Sequence, residues 1–322
     1  MNKYKAIRLL TCLFVFAGTI LISPFYVLAD QALYIRAYDV LRGQSFIEGF
    51  IVYSQIIGAT EVVHYTITWI ASNLDLEKNF VMALSNALLA YYSMLLLRKW
   101  GASIFVECTI VVTNFYILLM YFGVERLKFG FLFLALSLLF VGQRKRFHFF
   151  CFMAVLAHFQ VLLVYGSMLF KSFILAIIDF VKSFRISPKK LIYSFFLLAP
   201  LAFIASNILV KLQYYASDVA DSKNIFDMVR IILLMLMSLW YSKNKSETVL
   251  FFIPVILAVS VVGSDRVNMM GYFIFLYYGL QYNRGLNVGV IATNVYFAYK
   301  SYGFISDIIE YGDGFATILG RI

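Results

Sequence analysis

Five ionisable side chains stand in or at the edges of long apolar runs, and their types suit phosphate and hydroxyl chemistry: Asp30, Glu61, Arg126, His158 and Arg266. Arg126 follows Glu125 at the start of an apolar run that a basic cluster (Arg144, Lys145, Arg146) closes. His158 sits in the far half of the next run. Arg266, preceded by Gly-Ser-Asp, opens another run nearer the C-terminus. Two guanidinium groups converging on one cavity would suit a diphosphate, because their forked donors match phosphate oxygens bidentately. Arg36 and Arg42 could join them from the polar stretch after the first run. An imidazole titrates near neutrality and is suited to general-base work or polar contact. Blander readings stand beside these: Arg126 as a helix-end arginine snorkelling to an interface in a local pair with Glu125, and His158 as a hydrogen-bonded packing residue.

Asp30 and Glu61 each have a tyrosine four residues on, Tyr34 and Tyr65. On a helix such pairs share one face. A carboxylate there could orient a sugar hydroxyl or take its proton; the alternative is a pair of solvated acids. His64, one turn from Glu61, fits either reading, and His148 beside the inner basic cluster reads as interfacial. The three histidines are far apart, and no Asp-x-Asp, Gly-x-Ser-x-Gly or P-loop pattern occurs. No metal site and no cofactor is therefore expected, and nucleotide-driven or serine-hydrolase chemistry is disfavoured. Cys12, Cys108 and Cys151 all fall inside apolar runs without metal-like spacing, and read as small buried hydrophobes.

The elements that carry these residues follow from composition. Of 322 residues, 62% are apolar and 14% charged, with a mean hydropathy of +0.85. Soluble domains are about 45–50% apolar and about 25% charged. This chain is expected to be an all-α polytopic integral membrane protein, a single multi-span domain over 1–322. Unbroken runs such as Phe129–Val141 and Ile231–Tyr241 favour helices over the alternating segments of a barrel. Helices also satisfy their own backbone hydrogen bonds in lipid. The net charge of +10 sits in short clusters between runs, where it sets topology rather than marking nucleic-acid binding. Lys3, Lys5 and Arg8 precede an apolar run to Ala29 that is too long for a signal-peptide core, so a signal anchor with a cytoplasmic N-terminus is expected.

Topology turns on residues 61–74. If this segment dips into the membrane and returns, the basic clusters at 98–99, 144–146, 182–190, 243–245 and 284 join the N-terminal three on the cytoplasmic side. More than half of the 27 Lys and Arg then lie there. The expected spans are 6–28, 79–97, 102–122, 125–142, 147–165, 167–182, 191–210, 226–242, 247–262, 267–282 and 286–300. That gives about 11 transmembrane helices plus one re-entrant helix near 61–74. Residues 30–60 and 211–225 are expected to form outer loops contributing to the active cavity, and Arg126 and His158 to lie toward that face.

This order of features resembles the EpsG-type, Wzy-like polysaccharide polymerases of bacterial envelopes. That family has an outer Asp-x3-Tyr, a Glu-x-x-Tyr-like segment dipping into the membrane, and an Arg opening a helix. A cytoplasmic basic turn, a His in the next helix and a later outward Arg complete the series. The matching positions here are Asp30/Tyr34, Glu61, Arg126, His158 and Arg266. This chain has Glu61-Val-Val-His64 where the family has Glu-Pro-Gly-Tyr, Arg126-Leu127 for Arg-Gln, and His158-Phe-Gln160 for His-x-Ser.

The resemblance implies a GT-C-like fold in the bacterial inner membrane. It also implies a glycosyltransferase joining undecaprenyl-diphosphate-linked repeat units into O-antigen, capsule or exopolysaccharide at the outer face. Arg126 and Arg266, with Arg36, Tyr34 and Tyr65, would bind the diphosphate substrate, and His158, Glu61 or Asp30 would act on the acceptor hydroxyl. The expected partners are the lipid-linked donor and acceptor, membrane lipid and a chain-length regulator. A flippase for the same glycolipid and a membrane glycan acyltransferase are the rival readings. A flippase calls for charged residues reachable from both faces and often repeated halves. An acyltransferase calls for a donor site reachable from inside, hinted at only by Glu107 and Asp179.

Overall fold

The computed structural model describes residues 3–183, 225–262 and 265–316, and among them every regular element is helical. The predicted span 191–210, and all but the last residue of the predicted loop 211–225, lie outside the described residues. In chain order the helices are α1 (Lys3–Ile22), α2 (Asp30–Val40), α3 (Phe46–Ile57), α4 (Val62–Asn73), α5 (Lys78–Lys99), α6 (Ile104–Thr113) and α7 (Phe115–Phe122). They continue with α8 (Glu125–Leu139), α9 (Arg144–Ala157), α10 (Val161–Ser183), α11 (Ile225–Tyr241), α12 (Lys245–Val262), α13 (Asp265–Gly279) and α14 (Val288–Tyr311). Two compact units divide the chain: residues 1–161 with 283–322, and residues 162–282.

Among the described residues, two helices are long and apolar enough to cross a membrane: α1 with the 3-10 turn that extends it to Phe25, and α5. The bent pairs α3–α4 and α6–α7 raise that number to four if each counts as one span. Most of α1 is uncovered by protein, with Leu10, Leu13, Phe14 and Leu21 exposed. At 1.5 Å per residue, the 12 residues of α4 reach about 18 Å, well short of the roughly 30 Å hydrocarbon core. The chain bends by 114° between α3 and α4. Gly58 makes the turn possible: it ends α3 at a left-handed φ of 66°, where a side chain would be strained.

Several expected spans are divided differently. Residues 102–122 form two helices rather than one, bent by 51°. Asn114 is the cause: its backbone is extended, and its side chain accepts the Tyr116 N–H to start α7, the local bonding that makes Asn a helix starter. The helix expected over 147–165 stops at Ala157, because His158 takes an extended conformation (φ −163°, ψ 122°) and α10 begins at Val161. His158 therefore occupies a break, not the far half of a helix. At the other end, α14 continues to Tyr311, past the boundary expected at 300.

The stretch 30–60, expected as an outer loop with short interfacial helices, forms α2 and α3, exposed on one side and packed on the other. Tyr34, Ala37, Leu41, Tyr53, Ile57, Ala59 and Tyr65 form a buried cluster joining α2, α3 and α4. Backbone groups in the intervening turns are satisfied by side chains, as burial demands. Trp69 Nε1 donates to the Gln44 carbonyl at 2.9 Å, Asn73 Nδ2 to Leu41 at 3.0 Å, and Ser72 Oγ to Tyr38 at 2.6 Å. In the same unit α5 packs on α1 and α8, α8 on α9, and α14 on α6 and α7. Arg8 of α1 meets the fully buried Glu107 of α6 with two bonds, at 2.8 and 3.2 Å. In the second unit α11 packs on α12 and α13 around Ile231, Phe252, Val255 and Phe275.

Candidate active site

The first helical residues of α8 carry two opposite charges that face different neighbours. Glu125 and Arg126 are about 100° apart around the helix axis at 3.6 residues per turn. They do not pair with each other. Arg126 turns toward α2 and α4, and Glu125 toward α5.

On the Arg126 side, Nη1 donates to both oxygens of Glu61, at 3.2 and 3.0 Å, and Nε donates to the Tyr34 hydroxyl at 3.1 Å. One nitrogen thus spans the carboxylate. The Nη2 edge makes no hydrogen bond among the described residues and is the donor left for a ligand oxygen. Glu61 is the N-cap residue of α4, at the break where the chain reverses, so its side chain reaches α8 instead of capping its own helix. Tyr34 lies almost fully inside the α2–α4 cluster, and burial above all pushes its phenol up to about 12. It remains a neutral, fixed hydrogen-bonding group at physiological pH.

His158 closes this set. Its Nε2 lies 4.0 Å from Glu61 Oε1, while Nδ1 accepts the Gln160 N–H at 3.2 Å. With Nδ1 occupied as an acceptor, the neutral ring carries its proton on Nε2, facing the carboxylate. Gly130, one turn along α8 from Arg126, makes room for this break: a Cβ there would meet His158 Cβ and Val161 Cγ2, each at 3.0 Å.

On the Glu125 side, Lys78 at the start of α5 donates to Glu125 Oε1 at 2.7 Å and to Gln31 Oε1 at 2.8 Å. Gln31 in turn donates to the Phe122 carbonyl at 2.6 Å. The fully buried His64 lies between the two sets of groups. Its Nε2 is 3.6 Å from Glu125 Oε2, its Nδ1 2.7 Å from the Tyr53 hydroxyl, and its ring 5.4 Å from that of Tyr34. Lys128, a turn beyond Glu125, is fully buried; its ammonium is 3.6 Å from Met82 Sδ and has no carboxylate within 4 Å among the described residues.

Of the residues singled out by sequence, Tyr34, Glu61, Arg126 and His158 meet here. Asp30 begins the helix that carries Tyr34, and no ion pair or hydrogen bond holds its side chain among the described residues. Tyr65 points away, its hydroxyl donating to the Phe46 carbonyl within the α2–α4 cluster. Arg36 is exposed on α2. Arg266 belongs to the first turn of α13, in the other compact unit, and its side chain lies outside the described residues. Sequence reasoning missed Lys78 and Lys128. For Lys128 a signal existed, an ammonium inside an apolar run three residues after a carboxylate; for Lys78, 47 positions from its partner, there was none. No group of three or more His, Cys, Asp or Glu able to hold a metal ion occurs among the described residues.

Arg126 can offer a fixed positive charge to a phosphate. Glu61, pinned by that arginine and faced by an imidazole, can accept a proton from a hydroxyl. Comparison of the chain with protein families, curated proteins and solved structures finds no match.

Proposed function

We propose that this chain is a polysaccharide polymerase of the EpsG-type, Wzy-like kind, joining undecaprenyl-diphosphate-linked repeat units by glycosyl transfer. In this reading it is a GT-C-like protein of the bacterial inner membrane with about 11 spans, α4 as the re-entrant element and the N-terminus in the cytoplasm. The uncovered apolar face of α1, and the length and apolar character of α1 and α5, support lipid as the solvent. The observation that carries the functional reading is Arg126 held between Tyr34 and Glu61, with His158 facing the same carboxylate.

In the reaction the bond between the donor's anomeric carbon and its diphosphate oxygen breaks. The acceptor hydroxyl oxygen forms the new bond to that carbon, and its proton passes to Glu61. Arg126 stabilises the departing diphosphate, whose negative charge grows as the bond breaks, through its Nη2 edge. His158 faces Glu61 with Nε2 at 4.0 Å and adds a second polar group beside the carboxylate. A positive charge from arginine does the work that a divalent ion does elsewhere.

Purified protein in vesicles, supplied with lipid-linked repeat units, tests this directly. A ladder of polymer lengths is expected from the wild type and none from Arg126→Ala. Transbilayer movement of the glycolipid without chain growth, or acyl addition to it, would overturn the assignment in favour of a flippase or an acyltransferase.

A further inference from the structure

The helices α5 and α8 run side by side in the same direction. Lys78 meets Glu125 where both begin, at 2.7 Å. Lys99 meets the far end of α8, donating to the Leu138 and Leu139 carbonyls at 2.8 and 2.9 Å. That far end gathers cations. Arg98 donates to the Ala102 carbonyl at 3.1 Å and lies 5.8 Å from the ring of Tyr4, in the first turn of α1 between Lys3 and Lys5. The Ser103 N–H donates to the Arg284 carbonyl at 3.0 Å. The turn from α8 into α9 adds Arg144, Lys145 and Arg146. All of these residues belong to the first compact unit.

The carboxylates lie elsewhere. Among the described residues of this unit, Glu107 is the one acid near that end, fully buried and taken by Arg8 at 2.8 Å. The sequence has no other Asp or Glu from residue 78 to 124, and none from 126 to 178. The groups that hold the cations are neutral. Lys99 is engaged by carbonyls, and Arg98 by a carbonyl and a ring. Arg146 donates to Gln143 Oε1 at 3.0 Å, with the Phe140 ring 5.3 Å from its guanidinium. Arg144 and Lys145 are exposed and make no hydrogen bond or ion pair among the described residues. Positive charge is thus fixed in place without a carboxylate to offset it.

Apolar surface begins where the charge stops. On one side α9 stacks Phe150 against the Phe133 and Phe140 rings and buries Ala154 and Ala157. Lys145, Phe149 and Phe152 follow one another at i, i+4 and i+7, and so share another face. Phe149 and Phe152 are 57% and 62% exposed. At 1.5 Å per residue, this stripe runs about 10 Å along the helix. Fixed cations followed by bare phenylalanines fit an amphiphile with an anionic head. A nucleic acid or an acidic peptide would meet the cations and leave the rings in water.

We infer that this end of the protein binds anionic phospholipid, with the phosphate among Arg144, Lys145 and Arg146 and an acyl chain along Phe149 and Phe152. Each Lys or Arg at an anionic lipid surface is worth about fivefold in binding. The inference holds whether or not the other end of α8 makes polymer.

The test titrates phosphatidylglycerol, phosphatidylcholine and chain-free glycerophosphoglycerol into the detergent-purified full chain, read by thermal stabilisation. Saturable stabilisation by phosphatidylglycerol is expected, roughly tenfold or more tighter than by the other two and weakened by added salt. Arg144→Gln and Lys145→Gln should each weaken it about fivefold, and Lys145→Arg should keep it. Arg42→Gln, which removes an exposed cation from the α2 end, should change nothing. The double variant Phe149→Ser/Phe152→Ser should bring phosphatidylglycerol down toward the affinity of glycerophosphoglycerol. All the substituted side chains are exposed, and melting without lipid verifies that each variant folds. Indifference to lipid charge, or to Arg144 and Lys145, overturns the inference. Equal binding of glycerophosphoglycerol overturns it too, leaving a phosphate site alone. Stabilisation by polyglutamate but not by phosphatidylglycerol gives the face to an acidic protein and removes the lipid.

Discussion

Glu61 and Arg126 lie 65 positions apart in sequence and meet at 3.0 Å, the carboxylate at the break before α4 and the guanidinium at the start of α8. Both are mostly removed from solvent, so the pair contributes to structure as well as to chemistry. Removing one partner of a buried pair strands the other and costs about 3–5 kcal/mol, whereas replacing both by apolar groups is often neutral. Glu61→Gln or Arg126→Met alone is therefore expected to lower stability by an amount in that range. The double variant Glu61→Leu/Arg126→Met should recover most of the stability and none of the polymer. Thermal denaturation of detergent-purified variants beside the vesicle assay separates the two effects. A double variant that makes full-length chains would remove both residues from the chemistry.

Gly130 sets the position of His158. A methyl group at residue 130 would have to push aside His158 Cβ and Val161 Cγ2, both only 3.0 Å away, and such overpacking costs roughly 1–3 kcal/mol. Gly130→Ala is expected to leave the protein folded and to reduce polymer formation at least tenfold by shifting the imidazole away from Glu61. Gly166→Ala is the matched control, since nothing lies within 4 Å of a Cβ there. Equal activity of the two variants would show that the placement of His158 does not matter.

The pairing of Arg126 with Glu61 and Tyr34 was half legible. Tyr34 was marked by its spacing from Asp30, and charge at the ends of apolar runs identified Arg126 and Glu61, because an ionised group there demands a partner. It could not choose between Glu61 and the adjacent Glu125, since the choice depends on which way α8 faces. Sequence also missed the buried face of the α2–α4 segment. Polar residues such as Asp39, Arg42 and Glu48 made 30–60 read as exposed, yet Tyr34, Tyr53 and Leu41 fold inward on the opposite faces. The break at His158 left no trace in hydropathy, because the apolar run continues on both sides of it.

Tyr34 and Tyr65 were marked by the same spacing, and the structure gives them different surroundings. Tyr34 accepts from Arg126, whereas Tyr65 donates to the Phe46 carbonyl. Loss of a hydrogen bond to a charged group is worth about 1.5–3 kcal/mol. Tyr34→Phe should therefore lower kcat/KM by roughly 10- to 100-fold. Tyr65→Phe should cost about 1 kcal/mol of stability while leaving turnover per folded molecule unchanged. Reversal of this pattern in paired activity and melting measurements would detach Tyr34 from the site.

The buried phenol of Tyr34 also fixes a pH dependence. Its titration is raised from the ordinary value of 10 to about 12, so the native state holds a proton that the unfolded chain loses above pH 10. The contribution of Tyr34 to stability is complete below that pH and is lost as the pH rises from 10 toward 12. Because the phenol stays protonated throughout the physiological range, Tyr34→Phe should lower activity by the same factor at every pH from 6 to 9. Above pH 10 the variant should lose stability less steeply than the wild type, as measured by denaturation midpoints at matched pH. A difference in the activity ratio across pH 6 to 9 would mean that Tyr34 exchanges its proton during turnover, and its role would then be that of an acid or base rather than a fixed partner of Arg126.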